Sequence, residues 1–210
     1  MVPLEWQTYV SVFKDAVTAG AAITAAVVAV LGLRAWRKQL LGKTEYELAR
    51  RYLRAVYQVR DSIRSLRNPV GSAEEISQAF KESAILPPTP GDSEYNFKLE
   101  QALYNFRWKR INDAFSDLDV EILEAEVSWS VDAASAIVPL RTCRRKLFTA
   151  TRRHLNRLHP RQRLNAAEDE EIDRIIYDAY SDDPSLEDFT NEVKQAVEVV
   201  ERFLKPHLKL

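Results

Sequence analysis

An uncharged apolar stretch near the N-terminus limits how this chain can fold. Residues 16–33 read AVTAGAAITAAVVAVLGL, and among these eighteen residues only Thr18 and Thr24 have polar side chains. As an α-helix the stretch is about 27 Å long, close to the thickness of the hydrocarbon core of a bilayer. The sequence therefore predicts a transmembrane helix over residues 16–33.

A helix buried in the core of a soluble protein is the alternative interpretation, because the stretch is short for a span and rich in alanine. A core helix usually keeps one polar stripe, however, and this stretch has none with the period of a helix. Tyr9 and Trp36 flank the stretch, as aromatic residues flank membrane spans. A cleaved signal peptide is disfavoured, since its basic residues would precede the apolar run.

The charges beside the stretch predict its orientation. Residues 1–15 contain one base, Lys14, whereas residues 34–43 contain four bases and no acid: Arg34, Arg37, Lys38 and Lys43. The positive flank stays in the cytoplasm, so we expect residues 1–15 to form a short extracytoplasmic N-terminus and residues 44–210 a cytoplasmic domain. The basic juxtamembrane segment 34–43 would lie against anionic lipid head groups of the inner (cytoplasmic) membrane.

Small residues in the span indicate helix association. Ala16, Gly20 and Thr24 lie four residues apart on one face, which lets a second helix approach closely. We therefore expect the protein to bind a second copy of itself, or another membrane or cytoplasmic protein.

Composition favours helices and a reducing compartment. Five glycines among 210 residues are too few for an all-β fold or for loops that hold phosphates. Cys143 is the only cysteine, so no internal disulfide forms, as is usual in the cytoplasm. The predicted fold is all-α, with the transmembrane helix followed by a cytoplasmic antiparallel helical bundle.

Apolar residues spaced three and four apart predict the helices of the cytoplasmic domain. The first begins after Gly42 at a capping box of Thr44 and Glu47. Its apolar seam consists of Ala49, Tyr52, Val56, Val59, Ile63 and Leu66. Ser72 and Glu75 predict a short capped helix after it.

The longest predicted helix covers about residues 94–138 and is the central one of the bundle. Its inner seam consists of Phe97, Tyr104, Trp108, Ile111, Phe115, Leu118, Ile122, Ala125, Trp129 and Ala136. A second strip is expected to widen the apolar face and consists of Leu103, Phe106, Ala114 and Val127. Pro139 is expected to end or kink this helix. A basic helix over about residues 140–158, a short acidic helix capped by Asn165 and a last helix capped by Ser185 follow.

Charge is strongly segregated along the chain. Residues 34–67 hold ten bases and three acids, and residues 113–132 hold seven acids and no base. Residues 141–163 hold nine bases and no acid, and residues 168–188 hold ten acids and one base. Because the blocks come in pairs of opposite sign, we expect the basic segments to dock on the acidic ones within the chain.

The basic block is also the main candidate for binding an anion from outside. The candidate anion-binding residues are Arg141, Arg144, Arg145, Arg152, Arg153 and Arg157, with Lys146, Arg161 and Arg163 beside them. Intramolecular neutralisation is the favoured interpretation, followed by binding to anionic lipid. Nucleic acid is the less favoured partner.

No catalytic or metal-binding motif is present, so we expect no cofactor and no metal site. The sequence lacks G-x-x-x-x-G-K, G-x-S-x-G and H-E-x-x-H. Asp117, Glu121 and Glu124 share a helix face, and we interpret them as an acidic face opposite arginines rather than as ligands of a cation.

The first seventy residues resemble a group of bacterial proteins with one N-terminal span and a cytoplasmic helical domain. The residues that carry this resemblance are W-R-K-Q-L at 36–40 and T-E-Y-E-L-A-R at 44–50. The resemblance implies the same membrane topology and brings no function with it.

A second resemblance concerns Arg153 and His159. An arginine and a histidine with five residues between them are similar to the R-x(4–6)-H active-site element of HEPN-type helical ribonucleases. The resemblance implies that both side chains line an RNA-cleaving cleft at a dimer interface. Here the residue after the arginine is His154, and His159 directly precedes Pro160.

The sequence as a whole therefore predicts a membrane-anchored helical binding or scaffold protein that self-associates and performs no chemistry of its own. A membrane-tethered effector of the HEPN ribonuclease type is the alternative.

Overall fold

The computed structural model describes residues 4–89, 91–129, 132–159, 166–177 and 187–208. Within these ranges the chain forms seven α-helices and no β-strand, so the prediction of an all-α protein is confirmed. The helices are α1 (Leu4–Leu66), α2 (Ala73–Glu82), α3 (Tyr95–Ser128), α4 (Asp132–Ala136), α5 (Val138–Leu158), α6 (Ala166–Ile176) and α7 (Glu187–Leu204). The chain divides into two compact units, residues 1–46 and residues 47–209.

The first unit is the apolar N-terminal part of α1. Every side chain that the structure describes from Tyr9 to Leu41 is exposed. By length and composition the helix is apolar enough to cross a membrane, with a mean hydropathy of 2.2 over an 18-residue window. Thr18 Oγ1 donates to the Lys14 carbonyl at 2.8 Å, and Thr24 Oγ1 donates to the Gly20 carbonyl at 2.9 Å. Both hydroxyls of the apolar stretch are thus paired inside the helix, as a membrane interior requires.

The predicted helix start after Gly42 is wrong, since α1 continues through Gly42 and Thr44. The Thr44 hydroxyl donates to the Leu40 carbonyl at 3.1 Å, as the side chain of a residue inside a helix does. A glycine inside a helix costs about 1 kcal/mol relative to alanine, which is too little to end a helix with good helix formers on both sides.

The second unit has a core that includes the predicted seam of α1. All six seam residues are buried, and none is more than 1% exposed: Ala49, Tyr52, Val56, Val59, Ile63 and Leu66. The Tyr52 hydroxyl donates to the Ala133 carbonyl at 2.8 Å, so the polar atom in this seam is paired. Burial raises the pKa of Tyr52, which keeps the hydroxyl a donor.

The inner seam of α3 supplies a second part of the core. Most of its predicted residues are buried, namely Tyr104, Ile111, Phe115, Leu118, Ile122 and Ala125. The expectation that Val127 widens this face is wrong, because its side chain is 90% exposed. Val127 follows the buried Ala125 by two residues, which places it about 200° further around the helix.

The helix predicted over residues 94–138 is interrupted. The first helix of this region ends at Ser128, and the next two begin at Asp132 and Val138. Pro139 was expected to end or kink this helix, but it lies in the first turn of α5. A proline is tolerated there because the first N–H groups of a helix have no partner within the helix.

Contacts with distant parts of the chain accompany this interruption. The Trp129 ring stacks on the His207 ring with the centroids 4.1 Å apart, and it meets Phe203 edge to face. The Ala133 carbonyl accepts the hydrogen bond from Tyr52. These contacts bring Trp129 against the C-terminal segment and α4 against α1.

Pairs of bonded residues show how three of the helices pass one another. In α1, Arg51 bonds to Glu121 of α3, and Leu66, which lies later in α1, bonds to Arg107, which lies earlier in α3. The same order relates α5 to α3: Arg141 with Asp119, and His154 with Glu100. The helices of each pair therefore run in opposite directions. Helix α5 also packs against α6 and α7.

The smaller helices follow the sequence prediction where the structure describes them. Helix α2 is capped by Ser72, whose Oγ accepts from the Glu75 N–H at 3.1 Å. The predicted inward residues of α6 and α7 that are buried are Ile172, Ile176, Phe189, Val193, Ala196 and Val200. The caps predicted at Asn165 and Ser185 lie outside the described residues.

Replacement of Phe115 tests this core. Phe115→Ala should lower the free energy of unfolding by about 3–5 kcal/mol, because it leaves a cavity where α3 contributes to the core. Val127→Ala on the exposed face is the control and should change it by less than about 0.5 kcal/mol. Denaturant unfolding of the full chain in detergent, followed by circular dichroism, measures both. Equal small effects would contradict the assignment of Phe115 to the core.

Candidate anion-binding groove

The bases of α5 are partly neutralised within the chain. Arg141 pairs with Asp119 at 2.7 Å, Lys146 pairs with Glu192 at 2.6 Å, and Arg157 pairs with Asp173 at 2.9 Å. Surface pairs of this kind contribute about 0–1 kcal/mol each to stability. They neutralise charge locally rather than hold the fold together.

The acids that provide this neutralisation come from several segments. Asp173 belongs to the block 168–188 that we expected to pair with the basic block, and it does pair with Arg157. Asp119 belongs to the other acidic block, 113–132, and Glu192 lies beyond both blocks in α7. Arg161 and Arg163 of the basic block, and the side chains of Glu168 and Asp169, lie outside the described residues.

The acidic face of α3 pairs with α1, as the sequence analysis expected. Arg51 Nε donates to Glu121 at 3.1 Å, and Arg51 Nη2 donates to Glu124 at 2.5 Å. The hydrogen bonds that Arg51 donates to Glu124 and Glu121 raise the pKa of its guanidinium. Among the described residues no cluster of His, Cys, Asp or Glu could hold a metal ion.

A groove of about 850 Å³ lies between α3 and the basic helix α5. Its lining residues are Trp108, Asn112, Val138, Arg141, Arg144, Arg145, Phe148 and Thr149. The Trp108 and Phe148 rings meet edge to face with their centroids 5.4 Å apart. Phe148 is 49% exposed, and the Arg152 guanidinium lies 5.9 Å from its ring centroid. The groove thus combines an aromatic wall with guanidinium groups.

The guanidinium groups of this groove are only partly neutralised. Arg144 donates to the Asn112 side-chain oxygen at 2.8 Å and lies over the Phe115 ring at 4.7 Å. Arg145 donates to the Thr142 hydroxyl at 3.2 Å. These acceptors are neutral, whereas Arg141 has the carboxylate of Asp119. The groove therefore keeps an excess of positive charge.

A second groove on the other side of α5 is balanced. Its volume is about 550 Å³, and it lies between α5, α6 and α7. The cations that line it are Arg145, Lys146, Arg153 and Arg174, and the acids are Glu171, Asp188 and Glu192. Arg145 lines both grooves, and without it three cations face three acids here, so this side of α5 attracts anions less than the groove against α3.

The described contacts do not bring Arg153 and His159 together. Arg153 is exposed in the groove between α5, α6 and α7. The His159 ring packs edge to face on Phe97 of α3, with the centroids 5.0 Å apart. The two side chains therefore face different helices within one chain.

His154, which the sequence analysis treated only as the residue after Arg153, is buried in a polar cluster. Its Nδ1 is 2.9 Å from Arg157 Nη2, and its Nε2 is 2.5 Å from a Glu100 carboxylate oxygen. Because a guanidinium only donates, Nδ1 accepts and Nε2 carries the proton that is donated to Glu100. Tyr104 and Tyr177 surround the ring edge to face. The cluster joins α3, α5 and the end of α6.

Two arginines are unexpectedly buried, each with only 2% of its surface exposed. Arg107 donates to both carboxylate oxygens of Glu75, at 2.9 and 2.8 Å. It also donates to three backbone carbonyls where α1 ends, those of Leu66, Asn68 and Val70. In a helical pattern, arginine is expected on the exposed polar face. The sequence pattern therefore did not indicate that Arg107 is buried.

The second buried arginine, Arg67, binds the C-terminal end of α6. It donates to the backbone carbonyls of Arg174, Ile175 and Tyr177, at 3.4, 2.8 and 2.7 Å. It also donates to the Thr190 hydroxyl at 2.7 Å. A cation at this end is favourable because the last carbonyls of a helix carry partial negative charge.

The remaining candidates lie on exposed or inert positions. Arg34, Arg37, Lys38 and Lys43 are exposed in the first unit. A Cβ added at Gly20 would meet nothing within 4 Å, Thr24 is exposed, and the side chain of Ala16 lies outside the described set. Cys143 is buried, and burial raises the pKa of its thiol to about 11, so the thiol stays protonated and unreactive.

Comparison of the chain with protein-family models, with curated proteins and with solved structures finds no match. The interpretation of the groove between α3 and α5 therefore rests on its own geometry and charge.

The Glu75–Arg107 pair makes a prediction about pH. Hydrogen bonds from Arg107 hold the pKa of Glu75 below its usual value. The ionised pair therefore stabilises the folded state at pH values above the usual pKa of a glutamate. Glu75→Gln should lower the free energy of unfolding by about 1–3 kcal/mol near neutral pH. The difference from the wild type should shrink as the pH falls through the lowered pKa.

Unfolding by denaturant between about pH 7 and about pH 3 measures this difference. Glu74→Gln removes the neighbouring exposed carboxylate and is the matched control, with little effect at any pH. A Glu75→Gln effect of the same size at both ends of the pH range would contradict the stabilising role of the ionised pair.

Proposed function

We propose that this protein is a membrane-anchored helical binding or scaffold protein that assembles with other copies of itself. Residues 16–33 span the inner membrane of a bacterium with the N-terminus outside. The domain that follows is a cytoplasmic antiparallel helical bundle, and the protein acts by binding rather than by catalysis.

One observation carries this proposal, the complete exposure of the apolar part of α1. From Tyr9 to Leu41, the exposed fraction of the large apolar side chains is 51–74%. A soluble protein rarely exposes an apolar patch of this extent, so the segment needs a bilayer or partner helices. Four cations directly after residue 33 support the bilayer and the proposed orientation.

A strip on the outer face of α3 supports self-association. Val120, Leu123 and Val127 are 62%, 64% and 90% exposed and follow the spacing of three and four that brings helices together. Three residues make a small contact surface. Two copies anchored in one membrane meet at a high effective concentration, so a small surface suffices for association.

Cysteine labelling in intact cells tests the anchor and its orientation. With Cys143 replaced by alanine, Ser11→Cys should react with a membrane-impermeant maleimide, and Ser77→Cys should react only after the cells are permeabilised. The reason is that the bilayer separates these two positions. Labelling of Ser77→Cys in intact cells, or recovery of the chain without detergent, would contradict the proposal.

Cross-linking tests the self-association. Val127→Cys in the Cys143→Ala background should form cross-linked dimers in isolated membranes when a short bismaleimide is added. Leu123→Lys should abolish them, because it places a charge in the middle of the strip. Leu86→Lys changes an apolar residue outside α3 that is even more exposed, 82% against 64% for Leu123, and should leave the dimers intact. If Leu123→Lys leaves the yield of cross-linked dimers unchanged, the contact between copies lies on another surface.

A further inference from the structure

The groove between α3 and α5 differs from the groove on the other side of α5. It joins the exposed ring of Phe148 to Arg144 and Arg145, whose acceptors are neutral. Its volume of about 850 Å³ lies within the range of about 300–1,000 Å³ that small-molecule sites have. Its walls belong to two helices of the second unit, so the groove does not depend on the membrane-spanning part of α1.

The charge of the groove indicates the charge of its ligand. Three guanidinium groups line it, from Arg141, Arg144 and Arg145, and one carboxylate, that of Asp119, pairs with Arg141. Three positive charges and one negative charge leave an excess of two. A phosphate monoester carries about −1.5 to −2 charges at neutral pH, which matches this excess better than a single carboxylate does.

The residue type is also the one that recognises phosphate. The planar guanidinium presents paired N–H donors that fit two phosphate oxygens, and all three cations that line the groove are arginine. Replacing the weak neutral acceptors of Arg144 and Arg145 by phosphate oxygens would strengthen both sets of hydrogen bonds.

The aromatic wall indicates what the phosphate is attached to. Phe148 keeps half of its surface exposed in a helix that is otherwise densely charged, and Trp108 lies beside it. Exposed aromatic rings next to arginines stack on the planar rings of nucleotides, and each such contact contributes strongly to binding. Thr149 and Val138 complete the wall opposite α3.

We propose that this groove is a binding site for a phosphorylated planar ring compound of the nucleoside monophosphate class. The phosphate binds Arg144 and Arg145, with Arg141 as the outer cation. The ring lies against Phe148 and Trp108. The proposal concerns binding alone and includes no covalent step.

Calorimetric titration of the full-length chain in a neutral detergent tests the site. The probes are adenosine 5′-monophosphate, adenosine and inorganic phosphate. Adenosine 5′-monophosphate should bind at one site per chain, and its two halves should each bind at least about tenfold more weakly, because each makes only part of the contacts.

Variants on the two sides of α5 locate the site. Arg145→Ala and Phe148→Ala should each weaken the binding of adenosine 5′-monophosphate by at least about tenfold. Arg153→Ala is the matched control, since it removes an exposed arginine of the same helix on the balanced side, and it should leave the affinity unchanged. Thermal unfolding followed by circular dichroism shows that each variant is folded.

Several results would overturn the proposal. The proposal is wrong if the wild-type chain does not bind adenosine 5′-monophosphate at millimolar concentration of the nucleotide. Equal affinity for inorganic phosphate and adenosine 5′-monophosphate would exclude the ring site. Equal loss in Arg153→Ala and Arg145→Ala would show that only general positive charge matters. Tight binding of a single-stranded RNA that Phe148→Ala does not weaken, with no binding of the monophosphate, would assign the surface to a polymer.

Discussion

The guanidinium of Arg107 determines how the segments around the end of α1 are arranged. A buried charge without partners costs several kcal/mol, so the chain must bring acceptors to it. The carboxylate of Glu75 and the carbonyls of Leu66, Asn68 and Val70 are those acceptors. They come from the end of α1, the connection after it and the start of α2. One side chain of α3 thus positions three other segments.

Arg67, next to Leu66 at the end of α1, is a second buried cation that is satisfied by acceptors from other segments. Its guanidinium binds the last carbonyls of α6, and its charge lies 5.0 Å from the ring centroid of Phe189 in α7. His154 is linked to Glu100 and Arg157, so the buried side chains of Arg67, Arg107 and His154 all join helices. A ligand that bound these buried side chains would break the contacts between the helices and disrupt the fold. The groups available for function therefore lie at the surface, where the groove between α3 and α5 is.

Periodicity predicted much of the core, because burial of an apolar face follows directly from the helical repeat. The α1 seam, the inner α3 seam from Tyr104 to Ala125 and the Ser72 cap agree with the structure. The interruption after Ser128 could not be predicted in this way. It accompanies contacts of Trp129 with His207 and of Tyr52 with Ala133, which join residues about eighty positions apart. Local patterns contain no information on such pairs.

The candidate site was predictable only as a set of residues. Counting charges indicated that α5 is basic and that acids elsewhere neutralise it, but it could not indicate which side of α5 meets those acids. That depends on the neighbours: α6 and α7 bring three acids to one side, whereas α3 brings Asp119 to the other. The aromatic partner of the site, Trp108, was assigned to the core seam and is half-buried at the edge of the groove.

The excess positive charge lies only in the groove between α3 and α5, and this limits how the protein can recognise an anion. The whole chain carries a net charge of −1, so it has no long-range attraction for polyanions. An excess of two charges in one groove is screened over about 8 Å at physiological salt. Such a site acts only on a ligand that is already in contact with it. Its selectivity must then come from shape and hydrogen-bond geometry, which arginine and aromatic side chains provide at short range.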